Sequence, residues 1–189
     1  MFRLILFYLA VYPLMAWSQG DSSGEAFAIT LEPFLGYNKQ STTGRGIENG
    51  DQKNILFGSR MGGQYARFQT GIDYRLATGN YVTRQGARKY EYSQSGFGAY
   101  LGYLTPFLLR PYFVLQLSTK ASLIPSNTVR TMRGDGMIFG LSVFLPLCSI
   151  NFEYLKTEWD SIEESAVTRS LTETHSEGFN LSISWPFAF

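Results

Sequence analysis

The sequence predicts an all-β protein, an eight-stranded antiparallel up-and-down β-barrel. Three observations predict it: stretches of strict apolar and polar alternation, connections that alternate between long polar loops and short turns, and a last alternating stretch that runs to Phe189. That stretch, residues 178–189, has apolar side chains at every second position and Asn or Ser between most of them. A period of two is typical of a strand with one apolar face.

Composition limits the class of protein. The chain has 189 residues, enough for one domain, and its net charge of +1 gives no bulk electrostatic reason to bind nucleic acid. Charged residues make up only 16%, as do aromatic residues. A soluble domain usually has about a quarter charged residues.

The N-terminus has the pattern of an export signal. Arg3 supplies a positive charge, residues 4–14 are apolar, and Ala16-Trp17-Ser18 is a small-x-small cleavage motif. We therefore predict a signal peptide at 1–18 and one barrel domain at 19–189. Neither this apolar run nor any other reaches the length of a membrane-spanning helix, so a mature chain in a membrane must form a closed barrel.

Alternation places the first four strands at 27–37, 55–65, 68–76 and 90–103. Residues 38–54 and 78–89 are rich in Gly, Ser, Thr, Asn and charge, which predicts two long loops. Ala66 and Arg67 lie between two alternating stretches and predict a tight turn.

The same reasoning places the last four strands at 112–120, 137–145, 150–155 and 178–189. Prolines at 106, 111 and 146 mark the short turns, and polar residues at 124–135 and 160–173 predict the third and fourth long loops. Eight strands with alternating short and long connections are the layout of a bacterial outer-membrane barrel.

Alternation alone does not separate a transmembrane β-barrel from a soluble barrel of the lipocalin type, whose apolar face points inward. Charge placement favours the membrane, because the polar faces carry mainly Gly, Ser, Thr, Gln and Asn. Aromatic residues also concentrate at strand ends, where interfacial girdles lie. These residues are Tyr37, Tyr65, Tyr74, Tyr103, Trp185, Phe187 and Phe189.

The exported N-terminus, the first strand Leu31-Glu32-Pro33-Phe34-Leu35-Gly36-Tyr37 and the terminal Phe189 resemble the small eight-stranded outer-membrane β-barrel proteins, which include the membrane domain of outer membrane protein A. The resemblance implies a bacterial outer-membrane location with both termini in the periplasm. It also implies that Trp185, Phe187 and Phe189 belong to a signal read by the barrel assembly machinery.

Charges on the polar faces predict an ion network in the lumen, because unpaired charges are costly inside so narrow a barrel. The candidates are three acids and three bases: Glu32, Arg60, Asp73, Arg75, Lys120 and Glu153. The network either fills the lumen or gates a narrow water path. Eight strands leave room mainly for side chains, and Phe34, Tyr100, Tyr112 and Phe144 are large fillers.

The loops suggest partners. A basic rim of Arg84, Arg88, Lys89, Arg130 and Arg133 either holds lipopolysaccharide phosphates or is simply solvated charge. The acidic fourth loop, with Asp160, Glu163, Glu164 and Glu173, is expected to meet a cation or a partner, or simply to be solvated. Outer-membrane lipid is the other expected partner, and the chain is expected to be a monomer.

Catalysis and metal binding have little support. His175, the one histidine, precedes Ser176, and adjacent strand residues point to opposite faces, so His175 is not placed to activate it. Ser182 or Ser184 would have to face His175 from deeper in the lumen. One His and one Cys far apart make no metal site, and no cofactor is expected. The expected role is structural or surface-interacting, with a narrow channel as the alternative and a lipid-modifying enzyme third.

Overall fold

A computed structural model describes residues 27–86, 88–124, 129–165 and 167–189. The predicted signal peptide at 1–18 lies outside the described residues. The strands are β1 Phe27–Arg45, β2 Gly50–Tyr65, β3 Phe68–Thr83, β4 Lys89–Tyr103, β5 Leu109–Ile124, β6 Arg130–Phe144, β7 Ser149–Glu164, β8 Val167–Ser170, β9 Thr172–Ser184 and β10 Phe187–Ala188. The described residues contain no apolar helix of membrane-crossing length.

The strands form one closed antiparallel barrel. β1 to β7 pair in chain order, and β9 pairs with both β7 and β1, which closes the wall with eight long strands. The short β8 extends a hairpin with β7, and β10 continues the last strand along β1. The predicted fold and the short turns at 66–67, 104–108 and 145–148 are confirmed.

Large apolar side chains face outward in a continuous band around the lower part of the barrel, next to the short turns. Outward apolar residues run from Phe27 to Tyr37 on β1 and from Tyr65 to Ile55 on β2, and the other long strands continue the band. The interior is mainly polar, which contradicts the lipocalin-type alternative and fits a wall that faces hydrocarbon. We call this surface the apolar band.

The predicted long loops are mostly strand, which corrects the sequence analysis. β1 continues to Arg45 and β2 starts at Gly50, so 38–54 is largely a hairpin, and the other three polar segments shorten in the same way. We name the wall beyond the apolar band, at 38–54, 77–86, 88–96, 118–124, 129–136, 155–165 and 167–178, the projection. At about 3.3 Å per residue and a tilt near 40°, the eight residues 38–45 rise about 20 Å.

Polar composition misled the loop assignment for a physical reason. Both faces of the projection are polar, because its outside meets water and its inside carries amides such as Asn38, Gln40, Gln52 and Asn54, all buried. A strand with two polar faces lacks the apolar alternation that marks a strand in a sequence.

One irregularity changes which side chains face inward. On β5, Gln116 pairs with Gly98 and Ser118 pairs with Phe97, so Leu117 is an extra residue without a partner on β4. This is a β-bulge, which shifts the alternation by one residue. Leu117 and Ser118 both face outward, and every residue beyond them is inverted relative to a strict count.

Candidate functional site

Arg60 stands at the centre of a buried ion network in the lower lumen. Its guanidinium lies 2.5 Å from Glu153, 3.1 Å from Asp73 and 3.4 Å from Glu32. Nη2 also donates to the Tyr112 hydroxyl at 2.8 Å, and the ring of Tyr112 lies 4.3 Å from the guanidinium carbon. Four strands are therefore tied to one arginine on β2.

Arg75 forms the second node of the network. It donates from Nε to Asp73 at 2.5 Å and from Nη1 to Glu153 at 2.7 Å. Asn180 donates to the same Glu153 carboxylate at 2.8 Å, which links the network to the last long strand. Each acid accepts several charge-assisted hydrogen bonds, the arrangement that makes buried carboxylates tolerable.

Arg110 is the third base, and sequence reasoning missed it. Its side chain is 1% exposed and donates to Glu32 at 2.6 Å, to Gln69 at 2.9 Å and to Ser142 at 3.0 Å. The sequence did contain a signal for Arg110. It lies two residues before Tyr112, which the apolar and polar alternation placed inward, so both side chains share a face. Its position before Pro111 assigned it to a turn instead.

Lys120 is wrong as a member of the lumen network. It is exposed on the outer wall, because the bulge at Leu117 inverts the alternation beyond it. The other five predicted members, Glu32, Arg60, Asp73, Arg75 and Glu153, are all buried in the lumen. With Arg110 in place of Lys120, three acids still face three bases.

The lumen is closed again above the ion network. Phe34 covers Arg60 and Arg75, with ring centroid distances of 5.0 and 5.3 Å. Above it, amide side chains bond to one another: Asn38 on β1 donates to Asn180 on the adjacent β9 at 2.5 Å, and Gln40 donates across the lumen to Gln94 on β4 at 3.2 Å. We call this the amide layer. Between it and Arg75 lies a cavity of about 20 Å³, room for one water.

A small apolar core fills the interior of the projection. We call it the upper cluster, and its buried members are Tyr81, Tyr92, Ala121, Leu123, Met132, Trp159 and Ile162. Trp159 donates its indole N–H to Ser176 at 2.7 Å, and Tyr92 donates to Gln94 at 3.0 Å, which joins the cluster to the polar groups below. Ions, amides and apolar side chains thus occupy three successive levels of the lumen.

The predicted basic rim is largely engaged in ion pairs. Arg130 contacts Glu164 at 2.9 Å and Arg133 contacts Glu163 at 3.6 Å, so third-loop bases pair with fourth-loop acids. Arg84 contacts Asp51 at 3.0 Å. The two other members, Arg88 and Lys89, are exposed where β4 begins.

The predicted assembly residues lie at the C-terminal end of the barrel wall, around β10. Trp185 and Phe189 are exposed on the outer surface, with Phe189 at 78%, and Phe187 is half-buried. The backbone N–H of Phe189 donates to the carbonyl of Ile29, and that of Ile29 donates in return, so the chain end is paired with β1.

His175 and the nearby serines lie on opposite sides of the wall. His175 is partly exposed and contacts the Thr43 hydroxyl at 3.2 Å, whereas Ser176 is buried in the lumen on Thr42 at 2.5 Å. Ser182 and Ser184 also face the lumen. The barrel wall therefore separates the imidazole from each candidate nucleophile. Within the described part of the chain, no group of three His, Cys, Asp or Glu side chains is placed to hold a metal.

Solved structures share this architecture. Ail, the attachment invasion locus protein of Yersinia pestis, aligns with a TM-score of 0.53 at 12% identity, over 84% of this chain and 98% of its own. Ail in complex with the heparin analogue sucrose octasulfate aligns at 0.53 and 11%, over 84% and 99%. Neisserial surface protein A aligns at 0.49 and 17%, over 87% and 100%.

No protein-family model and no curated protein sequence matches the chain. The likeness to Ail is one of fold, since identity is low over nearly the whole barrel. It agrees with the closed wall, the apolar band and the polar interior described above. The chain has the fold of the small eight-stranded outer-membrane β-barrel proteins.

Proposed function

We propose that this protein is a non-conducting structural barrel of the bacterial outer membrane that anchors a rigid projection at the cell surface and holds lipopolysaccharide around its wall. One observation carries the proposal: the lumen is filled at three levels, by the ion network, the amide layer and the upper cluster. A filled lumen supports a load-bearing or surface-presenting role, because a diffusion pathway needs continuous water.

The narrow-channel alternative requires several arginine contacts to break together. Arg60 and Arg75 share Asp73 and Glu153, so freeing either carboxylate leaves a buried charge unpaired. The Phe34 ring and the apolar upper cluster lie farther along the same path. If a gate opened in the ion network alone, the Phe34 ring and the upper cluster would therefore still block the lumen.

Planar bilayers test the filled lumen. We expect purified wild-type protein to give no discrete, reproducible conductance steps, and Lys120→Ala on the outer wall to behave identically. Steps in the wild type that disappear in Arg60→Ala or Glu32→Ala, while persisting in Lys120→Ala, would establish the channel and overturn the proposal.

The proposed orientation puts both chain termini in the periplasm and the projection outside. Support comes from the short turns, which lie at the same end of the barrel as Phe27 and Phe189, as in bacterial outer-membrane barrels. The proposed contact for the assembly machinery is the C-terminal end of the last strand, formed by Trp185, Phe187 and Phe189.

The free thiol of Cys148 provides a test of orientation. Cys148 lies half-buried in the short turn between β6 and β7, whereas Gln85 is exposed at the tip of the β3–β4 hairpin. A bulky maleimide on intact cells should leave wild-type protein unlabelled and should label a Gln85→Cys/Cys148→Ser double variant. If intact cells label the wild-type protein at Cys148 but not the double variant, the opposite orientation is correct.

A further inference from the structure

Two lysines face each other on the outer wall at the upper edge of the apolar band. Lys39 on β1 and Lys53 on β2 are direct cross-strand partners, and both are exposed. Each is the first outward side chain beyond an apolar one, Tyr37 on β1 and Ile55 on β2. Like charges directly opposite each other destabilise a strand pair.

The pair lacks the internal counter-ions that other bases on the same wall have. Lys156 contacts Glu158 at 2.9 Å, whereas neither Lys39 nor Lys53 forms an ion pair with a described carboxylate. Asp51 is the nearest acid on these strands, diagonal to Lys39.

The Asp51 carboxylate is already engaged. It accepts from Ser41 at 2.6 Å and from Arg84 at 3.0 Å. Glu177, opposite Ser41 on the other side of β1, accepts from the Tyr154 hydroxyl at 3.2 Å. Lys39 also attracts Asp51 without forming an ion pair with it, and a hydrogen bond from a neutral hydroxyl leaves the charge of Glu177 in place. Because neither acid forms an ion pair with Lys39 or Lys53, both ammonium groups remain available to a group outside the chain.

An apolar groove runs down the wall from Lys39. It lies over β7, β9 and β1, encloses about 390 Å³, and has Tyr37 and Tyr154 on its two sides. Phe152, Phe179 and Leu181 form its apolar lining. Lys39 is part of the lining, and Lys53 lies beside it on β2. A groove with an apolar lining and a cation at one end fits an amphiphile with a chain and an anionic head.

We propose that Lys39 and Lys53 bind one phosphate of the lipid A headgroup of lipopolysaccharide, with an adjoining acyl chain in the groove over β7, β9 and β1. A phosphate carries close to two negative charges at neutral pH, which matches two ammonium groups. The choice of lipopolysaccharide rests on the orientation proposed above, which puts this edge in the outer leaflet. The site is distinct from the basic rim, whose bases are largely paired.

The test uses folded protein in detergent micelles, titrated with diphosphoryl lipid A and followed by native mass spectrometry. Lys39→Gln/Lys53→Gln should weaken binding about tenfold or more, since each cation near a lipid surface contributes appreciably. Lys156→Gln, which removes a paired lysine from the same wall, should bind as the wild type does. Equal affinity of the double variant and the wild type would overturn the proposal.

Two further ligands identify the chemistry. Dephosphorylated lipid A should bind the wild type as weakly as diphosphoryl lipid A binds the double variant, because the phosphate contact is absent in both. Phosphatidylglycerol should bind more weakly than diphosphoryl lipid A. If it binds equally tightly, the assignment to lipopolysaccharide is overturned.

Thermal unfolding provides a readout that a folding defect does not imitate. Without lipid A, Lys53→Gln should raise the melting temperature, because it removes the repulsion from Lys39. With lipid A, the same variant should gain less stability than the wild type. A lower melting temperature in both conditions would contradict the proposal.

These micelle measurements are independent of the conductance and labelling experiments, so each proposal can fail alone.

Discussion

Arg110 and Glu32 form an ion pair of 2.6 Å across the lumen, joining the start of β5 to the middle of β1. Neither residue is adjacent to the other's strand in the sheet, so the contact braces the barrel from inside. Glu32 also accepts from Ser184 at 2.5 Å, which adds the last long strand to the same point.

Replacing Arg110 by Met should destabilise the barrel by about 3–5 kcal/mol, because it leaves Glu32 buried with only the longer contact to Arg60 as its ion pair. Lys120→Met should change stability by less than about 0.5 kcal/mol, since Lys120 is on the surface. Urea unfolding in liposomes, read from gel migration without boiling, measures both. Equal losses of unfolding free energy in Arg110→Met and Lys120→Met would contradict the placement of Arg110 in the lumen and Lys120 on the surface.

Deleting Leu117 should leave a folded barrel. The deletion removes the extra residue of the bulge, so Gln116, Ser118 and Thr119 alternate in, out and in without moving their neighbours.

Deleting Leu115 instead is the matched control. It turns Gln116 toward lipid and should sharply reduce the folded fraction, because a buried amide without partners is costly in hydrocarbon. The folded fraction after refolding, from gel mobility, distinguishes the two deletions. Comparable yields would argue against the bulge.

Gly140→Ala should cost about 1–3 kcal/mol, because a Cβ there would overlap the ring of Tyr112, which cannot shift without disturbing its contacts to Arg60 and Glu153. Gly96→Ala is the control. Its Cβ would meet the end of the flexible Gln116 side chain at 2.9 Å and would otherwise make ordinary contacts with Thr119 and Arg75, so the substitution should cost less than about 1 kcal/mol. The same unfolding assay decides, and a larger loss at Gly96 would contradict the packing.

The hydrogen bond from the Ser41 hydroxyl holds the pKa of Asp51, in the projection, below its ordinary value, and Arg84 acts in the same direction. A lowered pKa in the folded state contributes stability at neutral pH that is lost as the pH falls through that pKa. Ser41→Ala should therefore raise the pKa of Asp51, measured by carboxyl NMR titration. Ser93→Ala, on β4, should leave it unchanged. An unaltered pKa in Ser41→Ala would show that the hydroxyl is not the cause.

The barrel was predictable because hydrocarbon outside and polar groups inside impose alternation on every strand that crosses the apolar band. The projection was not, because its two polar faces resemble a loop, as at Gln40 and Gln52. Five of the six lumen charges followed from counting along regular strands. The count wrongly added Lys120, since no Gly or Pro marks the bulge at Leu117, and it missed Arg110, since Pro111 makes the start of β5 resemble a turn.

The pairing of β9 with β1 has a consequence for how the protein reaches the membrane. Glu32 and Asp73 pair with Arg60 on neighbouring strands, but the third acid, Glu153, comes from the seventh strand, so the three bases are fully neutralised only after the two halves of the chain have met. A nascent, half-curled sheet would present uncompensated arginines to hydrocarbon. Intermediates that insert before their seam is sealed are thereby penalised, which favours curling at the membrane surface followed by concerted entry.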